Sequence, residues 1–105
     1  MIKNNLDKIK GYVNLAIRAK YVVFGADNLK GYTHKLYLVL YRQDYGNTIL
    51  KTINELKHRG LQCIMLSVED FNYISSLDNC KLLAIKNKGI SEQICKILRS
   101  ENISG

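Results

Sequence analysis

The sequence predicts an α/β domain in which a sheet carries helices on both faces, in the element order αβαβαβαβα. Three observations lead there. Segments with helical apolar spacing alternate with short β-branched and aromatic runs along the whole chain. The run "LYLVLY", residues 36 to 41, has almost no polar alternation, and a strand of that kind needs cover on both sides. The linkers are two to five residues long, as in a compact α/β unit. With 105 residues the chain is enough for one domain, spanning 1–105, and too short for two.

Each element follows from its own residues. Leu6, Ile9, Val13, Ala16 and Ile17 recur at helical spacing and predict an amphipathic helix over residues 4 to 19. "YVVF" (21 to 24) is a short strand ended by Gly25. Residues 26 to 33 read as a short helix weakened by Gly31. "KLYLVLY" (35 to 41) is the second strand, and Asp44 to Asn47 make a turn and a helix start. Ile49, Leu50, Ile53 and Leu56 then mark a long helix stopped by Gly60. "LQCIML" (61 to 66) is the third strand. Ser67 to Asp70 resemble a capping box that opens a helix with Phe71 and Ile74 on its inner face. Leu77, Asp78 and Asn79 read as a loop, "CKLLAI" (80 to 85) as the fourth strand closed by "NKG", and Ile90, Ile94, Ile97 and Leu98 as a last helix.

Composition narrows the partners more than the chemistry. The 47% hydrophobic and 24% charged fractions are those of a globular protein rather than a disordered one. A net charge of +7 is compatible with a polyanionic partner, although charge alone does not name one. The cations are scattered from Lys3 to Arg99, so any basic surface must be assembled by folding. Cys63, Cys80 and Cys95 are widely spaced and odd in number. This predicts free thiols, with Cys63 and Cys95 buried. The N-terminal "MIKNNLDKIK" has no apolar segment of the secretory type, and the longest apolar run is too short to cross a bilayer. A cytoplasmic location and no membrane partner are the expectation.

The stretch "VVFGADNLKGYTHK", residues 22 to 35, is where chemistry concentrates. Glycine at the end of a strand lets a backbone approach closely or adopt positive φ. Amides at a helix start favour phosphate. Asp27 and Asn28 can accept from base amino groups, Asn28 can also donate, and Lys30, His34 and Lys35 would add phosphate contacts. The same residues are equally readable as architecture, with Asp27 or Asn28 capping a helix that Gly31 ends.

Three segments carry a resemblance to a known family. "YVNLAIRAKYVVFG" (12 to 25) resembles the pattern Leu-Ala-x-Arg-Ala followed by a short strand and glycine. "KLYLVLYRQDYGNT" (35 to 48) resembles an apolar strand, an acidic turn and Asn-Thr, and "LLAIKNKGISEQI" (82 to 94) a final strand, turn and helix. Together they resemble the L-seven-Ae and L-thirty-e ribosomal proteins, above all their bacterial YlxQ-like relatives, over residues 6 to 98. The resemblance implies a three-layer α/β/α sandwich with a four-stranded mixed sheet, and non-catalytic binding of kink-turn RNA. It implies RNA contacts from a Gly-x-Asn-Glu-x-x-Lys stretch, onto which Gly25, Asp27 and Asn28 fall. Gly31 stands at the lysine position and Lys30 is one residue short of it. It also implies contacts from the loop before the last strand, here Leu77, Asp78 and Asn79. The chain departs from the family where Phe71-Asn72 replaces a common Leu-Gly pair.

Other side chains carry plainer readings. His34 and His58 lack metal-ligand spacing and read as solvated surface groups, so no metal and no cofactor is expected. Most of the seven tyrosines sit on element faces as packing groups; Tyr32 and Tyr45, near turns, are the two that could stack on bases. The carboxylates form no placeable acid–base pair, and neither a phosphate-binding G-x-x-x-x-G-K nor a nucleophile elbow is present. The expected function is a non-enzymatic binder of structured RNA, ribosomal RNA included. The alternatives are a protein-interaction module on the same fold or an accessory subunit of an RNA-modifying enzyme.

Overall fold

The computed structural model describes residues 2–76 and 79–101. Helix α1 (Lys3–Arg18) buries Ile9, Val13 and Ala16 on one stripe. It closes in a Schellman motif: Lys20 N–H donates to Ile17 O at 3.0 Å and Tyr21 N–H to Ala16 O at 2.8 Å. The left-handed position of that motif is held by Lys20, at φ +62°. Strand β1 (Val22–Phe24) follows and is only partly buried.

Helix α2 (Ala26–Leu29) is a single turn, shorter than the expected 26 to 33. The chain leaves helical geometry at Lys30, with φ −64° and ψ 118°, after Leu29 has been buried. It must then travel back along the sheet to enter β2 (Leu38–Arg42), and Leu36 buries in the helical layer on the way. This is why the second strand starts three residues later than the expected residue 35. All five residues of β2 are buried, as a strand covered on both faces requires.

Helix α3 (Asn47–His58) ends where glycine was expected to stop it. Gly60 sits at φ +86°, donates to Lys57 O at 2.9 Å, and lets Leu61 N–H reach Leu56 O at 3.0 Å. Strand β3 (Cys63–Leu66) leads into α4 (Val68–Ser75), capped by Ser67, whose hydroxyl accepts from Asp70 N–H at 3.1 Å. Strand β4 (Leu82–Ile85) is fully buried. The "NKG" that follows does not close a turn. Asn87 Oδ1 accepts from Ile90 N–H at 2.8 Å, an N-cap contact, so Lys88 and Gly89 already belong to α5 (Lys88–Glu101).

The sheet is mixed, in the order β1-β4-β2-β3. β4 runs antiparallel to both β1 and β2, and β2 runs parallel to β3. One face is covered by α1, α4 and α5, with Ile9, Val13, Phe71, Ile74, Ile94 and Leu98 against Leu38, Leu40, Leu83 and Ile85. The other is covered by α2 and α3, with Leu29, Ile53 and Leu56 against Val39, Tyr41, Leu82 and Ala84. The result is the three-layer α/β/α arrangement with a four-stranded mixed sheet, its two fully buried strands at the centre.

Cys95 is buried as expected, but Cys63 is only half-buried because β3 is an edge strand. Burial pushes both thiols above their ordinary value of 9.0. Among the described residues no helix is long and apolar enough to cross a membrane.

Candidate functional site

β1 and β2 finish at the same end of the sheet, where β4 begins: Phe24 pairs with Leu83 and Tyr41 with Leu82. At that end Gly25 extends the ladder by one bond, its N–H donating to Leu82 O at 2.9 Å. Its φ of +83° and ψ of 152° lie in a region that only glycine populates freely. A Cβ there would meet no atom within 4 Å, so the constraint is backbone conformation and not space.

The turn at Gly25 opens a groove of about 480 Å³. Gly25, Asp27 and Asn28 line it from β1 and α2, Thr48 from α3, and Asn79 and Lys81 from the approach to β4. Four residues expected at a binding site therefore meet: Gly25, Asp27, Asn28 and Asn79. Asp27 and Asn79 are exposed. Asn28 is exposed too, but one of its amide hydrogens is used locally, donating to Phe24 O at 2.7 Å. Its side chain ties the helix turn back to the strand end, but neither Asp27 nor Asn28 caps the helix: the N-cap is Gly25, with no side-chain cap bond. Its carbonyl oxygen and second N–H face no such demand.

The other expected residues separate. Lys30 lines a neighbouring depression with Lys51 and Glu55, joined to the groove through Thr48. Lys35 lies at the far end of the sheet. Tyr37, two residues on, donates its N–H to Ile85 O at 2.9 Å where β4 finishes. The five residues of β2 stand between, roughly 16 Å of strand. Its ammonium lies 5.5 Å from the centre of the Tyr37 ring. His34 is exposed and sets its ring edge against Tyr32, 5.4 Å between centroids. The Tyr32 carbonyl accepts from Arg59 at the end of α3. His34 and Lys35 thus do not join the Gly25 groove, because the chain between α2 and β2 runs the length of the sheet. Leu77 and Asp78 lie outside the described residues. Tyr45 sits at the groove's end of the sheet, 37% exposed, edge to face with Tyr41 at 5.5 Å between ring centroids. Tyr32 is half-buried in the α2/α3 layer instead.

Beside the groove lies a charge network that the sequence did not announce. Arg42, 7% exposed at the end of β2, grips Asp44 with two hydrogen bonds, Nε to Oδ1 at 2.6 Å and Nη2 to Oδ2 at 3.0 Å. Its Nη1 donates to Asn72 Oδ1 at 2.9 Å. Asn72 thus has a structural task at the position where the chain departs from the family pattern. Lys81 Nζ donates to Asp44 O at 3.0 Å and lies 3.6 Å from Oδ2. Hydrogen bonding from Arg42 holds the Asp44 carboxyl below its ordinary 3.8; partial desolvation opposes this, and the charges of Arg42 and Lys81 add to it. The only local clue was the Arg-x-Asp spacing after an apolar strand; Asn72 and Lys81 arrive from other elements.

The groove can therefore offer acceptors (Asp27, Asn28, Asn79), a hydroxyl (Thr48) and one ammonium (Lys81), over an apolar floor of Phe24, Ile49 and Leu82. This is equipment for recognising a polar ligand by hydrogen bonds. Among the described residues no group of three His, Cys, Asp or Glu side chains is placed to hold a metal ion.

No family model matches the chain, and no curated protein matches it. The fold is shared with a solved structure described as a protein with unknown function from Bacillus halodurans, at 16% identity and a TM-score of 0.71. The match covers 88% of this chain and 97% of that one.

Proposed function

We propose that this protein is a non-catalytic binder of structured RNA acting in the cytoplasm, with a kinked or internally looped RNA, ribosomal RNA included, seated at the Gly25 groove. The reading includes membership of the L-seven-Ae/L-thirty-e group, on the sequence resemblance given above. The observation that carries it is the meeting of Gly25, Asp27, Asn28 and Asn79 in one polar groove. Acceptors on Asp27, Asn28 and Asn79 suit exposed base edges, which a kink presents and a regular duplex hides. Lys81, with Lys30 and Lys51 alongside, supplies cations for the flanking phosphates, on a chain of net charge +7.

A titration with a kink-turn RNA and an unkinked duplex of equal length, at physiological salt, tests this. Tighter binding of the kinked RNA is expected, with log K falling against log salt at a slope of roughly −3 to −5. Asn28→Ala should reduce the preference for the kinked form, whereas Lys30→Ala should weaken both RNAs alike and flatten the slope by about one unit or less. Equal, weak affinity for the two RNAs would reject the reading and favour a protein-interaction module.

A further inference from the structure

A second groove is lined by more cations than the Gly25 groove. Helix α5 places Lys88, Ser91, Glu92, Cys95, Lys96 and Arg99 at intervals of three and four, on one face. That face forms one wall of this groove, of about 430 Å³, whose other walls carry Tyr37 and Gln62. Gln62 is anchored there, its Oε1 accepting from Cys95 Sγ at 3.5 Å, which leaves its NH₂ as the donor end. Three cations and one carboxylate line this space, against one cation and one carboxylate in the Gly25 groove. Lys96 also lines the adjoining depression between α1 and α5, beside Lys8 and Tyr12.

An independent observation marks the groove as a site. Ser91 lines it, is 3% exposed, and its Oγ has no hydrogen-bond partner. A buried hydroxyl left unsatisfied costs about 1–3 kcal/mol of desolvation, and such groups are uncommon in folded proteins. It is the sole side-chain atom of that kind among the described residues. A polar ligand on this wall satisfies it once the Ser91 side chain turns outward into the groove.

We propose that the α5 groove binds a free ribonucleoside monophosphate. The phosphate sits beside Lys96 and Arg99, one turn apart on α5, which can bind its oxygens with charge-assisted hydrogen bonds; Lys88, about 16 Å from Arg99 along the helix, stands at the other end of the groove. Ser91 Oγ, turned outward, adds a bond. Glu92, which would repel a bare phosphate, accepts from the ribose hydroxyls. Tyr37 offers a ring face for the base and the Gln62 NH₂ a donor for its edge. The mixed lining, cationic at one part and acceptor, aromatic and amide at others, is what distinguishes a nucleotide from inorganic anion. A volume of about 430 Å³ is that of a small-ligand pocket. The site is independent of the RNA reading, since it shares no lining residue with the Gly25 groove.

The test is an amide-shift NMR titration of the full chain with AMP, dAMP, adenosine and inorganic phosphate at constant ionic strength. Saturable shifts at Gln62, Ser91 and Lys96 are expected with AMP, without matching shifts at Gly25 to Asn28. Adenosine and phosphate should each bind at least about tenfold more weakly, one lost charge-assisted contact being worth about that factor. Lys96→Ala with Arg99→Ala should weaken AMP by about tenfold or more. Glu92→Gln should shrink the preference for AMP over dAMP while sparing dAMP. Ser91→Ala should weaken AMP severalfold without lowering the thermal midpoint, which a merely structural hydroxyl would not do. Linear shifts spread over the lysine-bearing surface, equal affinity for AMP and phosphate, or unchanged binding in the double variant would overturn the proposal. So would shifts produced by a short RNA strand but not by AMP.

Discussion

The two grooves are built on opposite principles. The Gly25 groove is made of groups tied into the fold: a glycine-only backbone conformation, an Asn28 side chain bonded to Phe24 O, and, beside it, Arg42 and Lys81 bonded to Asp44. The α5 groove is made of side chains projecting from one helix face, with lysine and arginine heads at its rim and a hydroxyl without a partner. Its Lys88 and Lys96 are exposed. Substitutions at the first should therefore move stability, and substitutions at the second should move binding alone.

The Arg42–Asp44 pair gives the largest contrast. Arg42→Met removes at least three hydrogen bonds made by a buried guanidinium and should cost about 2 kcal/mol in urea unfolding. Asp44→Ala should cost more, because it takes a counter-charge from a guanidinium that stays buried. The reverse ranking would show that the carboxylate, and not the buried cation, is the demanding partner. The same pair predicts an acid signature. The folded pKa of Asp44 lies below 3.8, so its contribution is fully present above that value and lost as pH falls through the folded pKa. Urea midpoints at about pH 5 and about pH 3 should therefore converge between wild type and Arg42→Met as the pH is lowered. A constant gap would contradict the assignment.

Backbone comes next. Gly25→Ala should destabilise by about 1–3 kcal/mol through conformation alone, since the added methyl meets nothing. Lys20 occupies a left-handed position with a side chain, and Lys20→Gly should raise stability by up to about 1 kcal/mol. If Lys20→Gly were destabilising, the gain in unfolded-chain entropy would outweigh the relieved strain. The smallest effect belongs to the α5 groove: Lys96→Ala should change the unfolding free energy by less than about 0.5 kcal/mol. A larger loss would mean that this groove, too, holds the fold together.

Local signals in the chain were sufficient for the elements themselves. The apolar run 36 to 41 announced a strand covered on both faces, Gly60 a helix end, and Ser67 a capped start; each acts within one to five residues of its effect. Helix α5 was legible through Ile90, Ile94, Ile97 and Leu98, and its polar face was implicit in the same spacing. Its start was misplaced because "NKG" has the composition of a turn, and only the Asn87 cap to Ile90 shows that the helix has begun. The length of α2 is overestimated when Gly31 is read as weakening a helix that runs on to 33. At φ +76°, just past the Lys30 cap, Gly31 ends the helix, as the architectural reading of that stretch has it.

Local residue pattern is enough to place the strands and helices, to require cover on both faces of β2, and to end β1's run at glycine. The remainder follows from how the elements pack. β4 lies between β1 and β2 because it and β2 are the strands whose every residue needs cover, which leaves β1 and β3 at the edges. That order carries Asn79 and Lys81 to Gly25, about 55 residues away in the chain, and sends Lys35, only ten residues away, to the opposite end of the sheet. Apolar periodicity records what each segment must bury, whereas the neighbours of a polar side chain depend on how the buried faces are stacked.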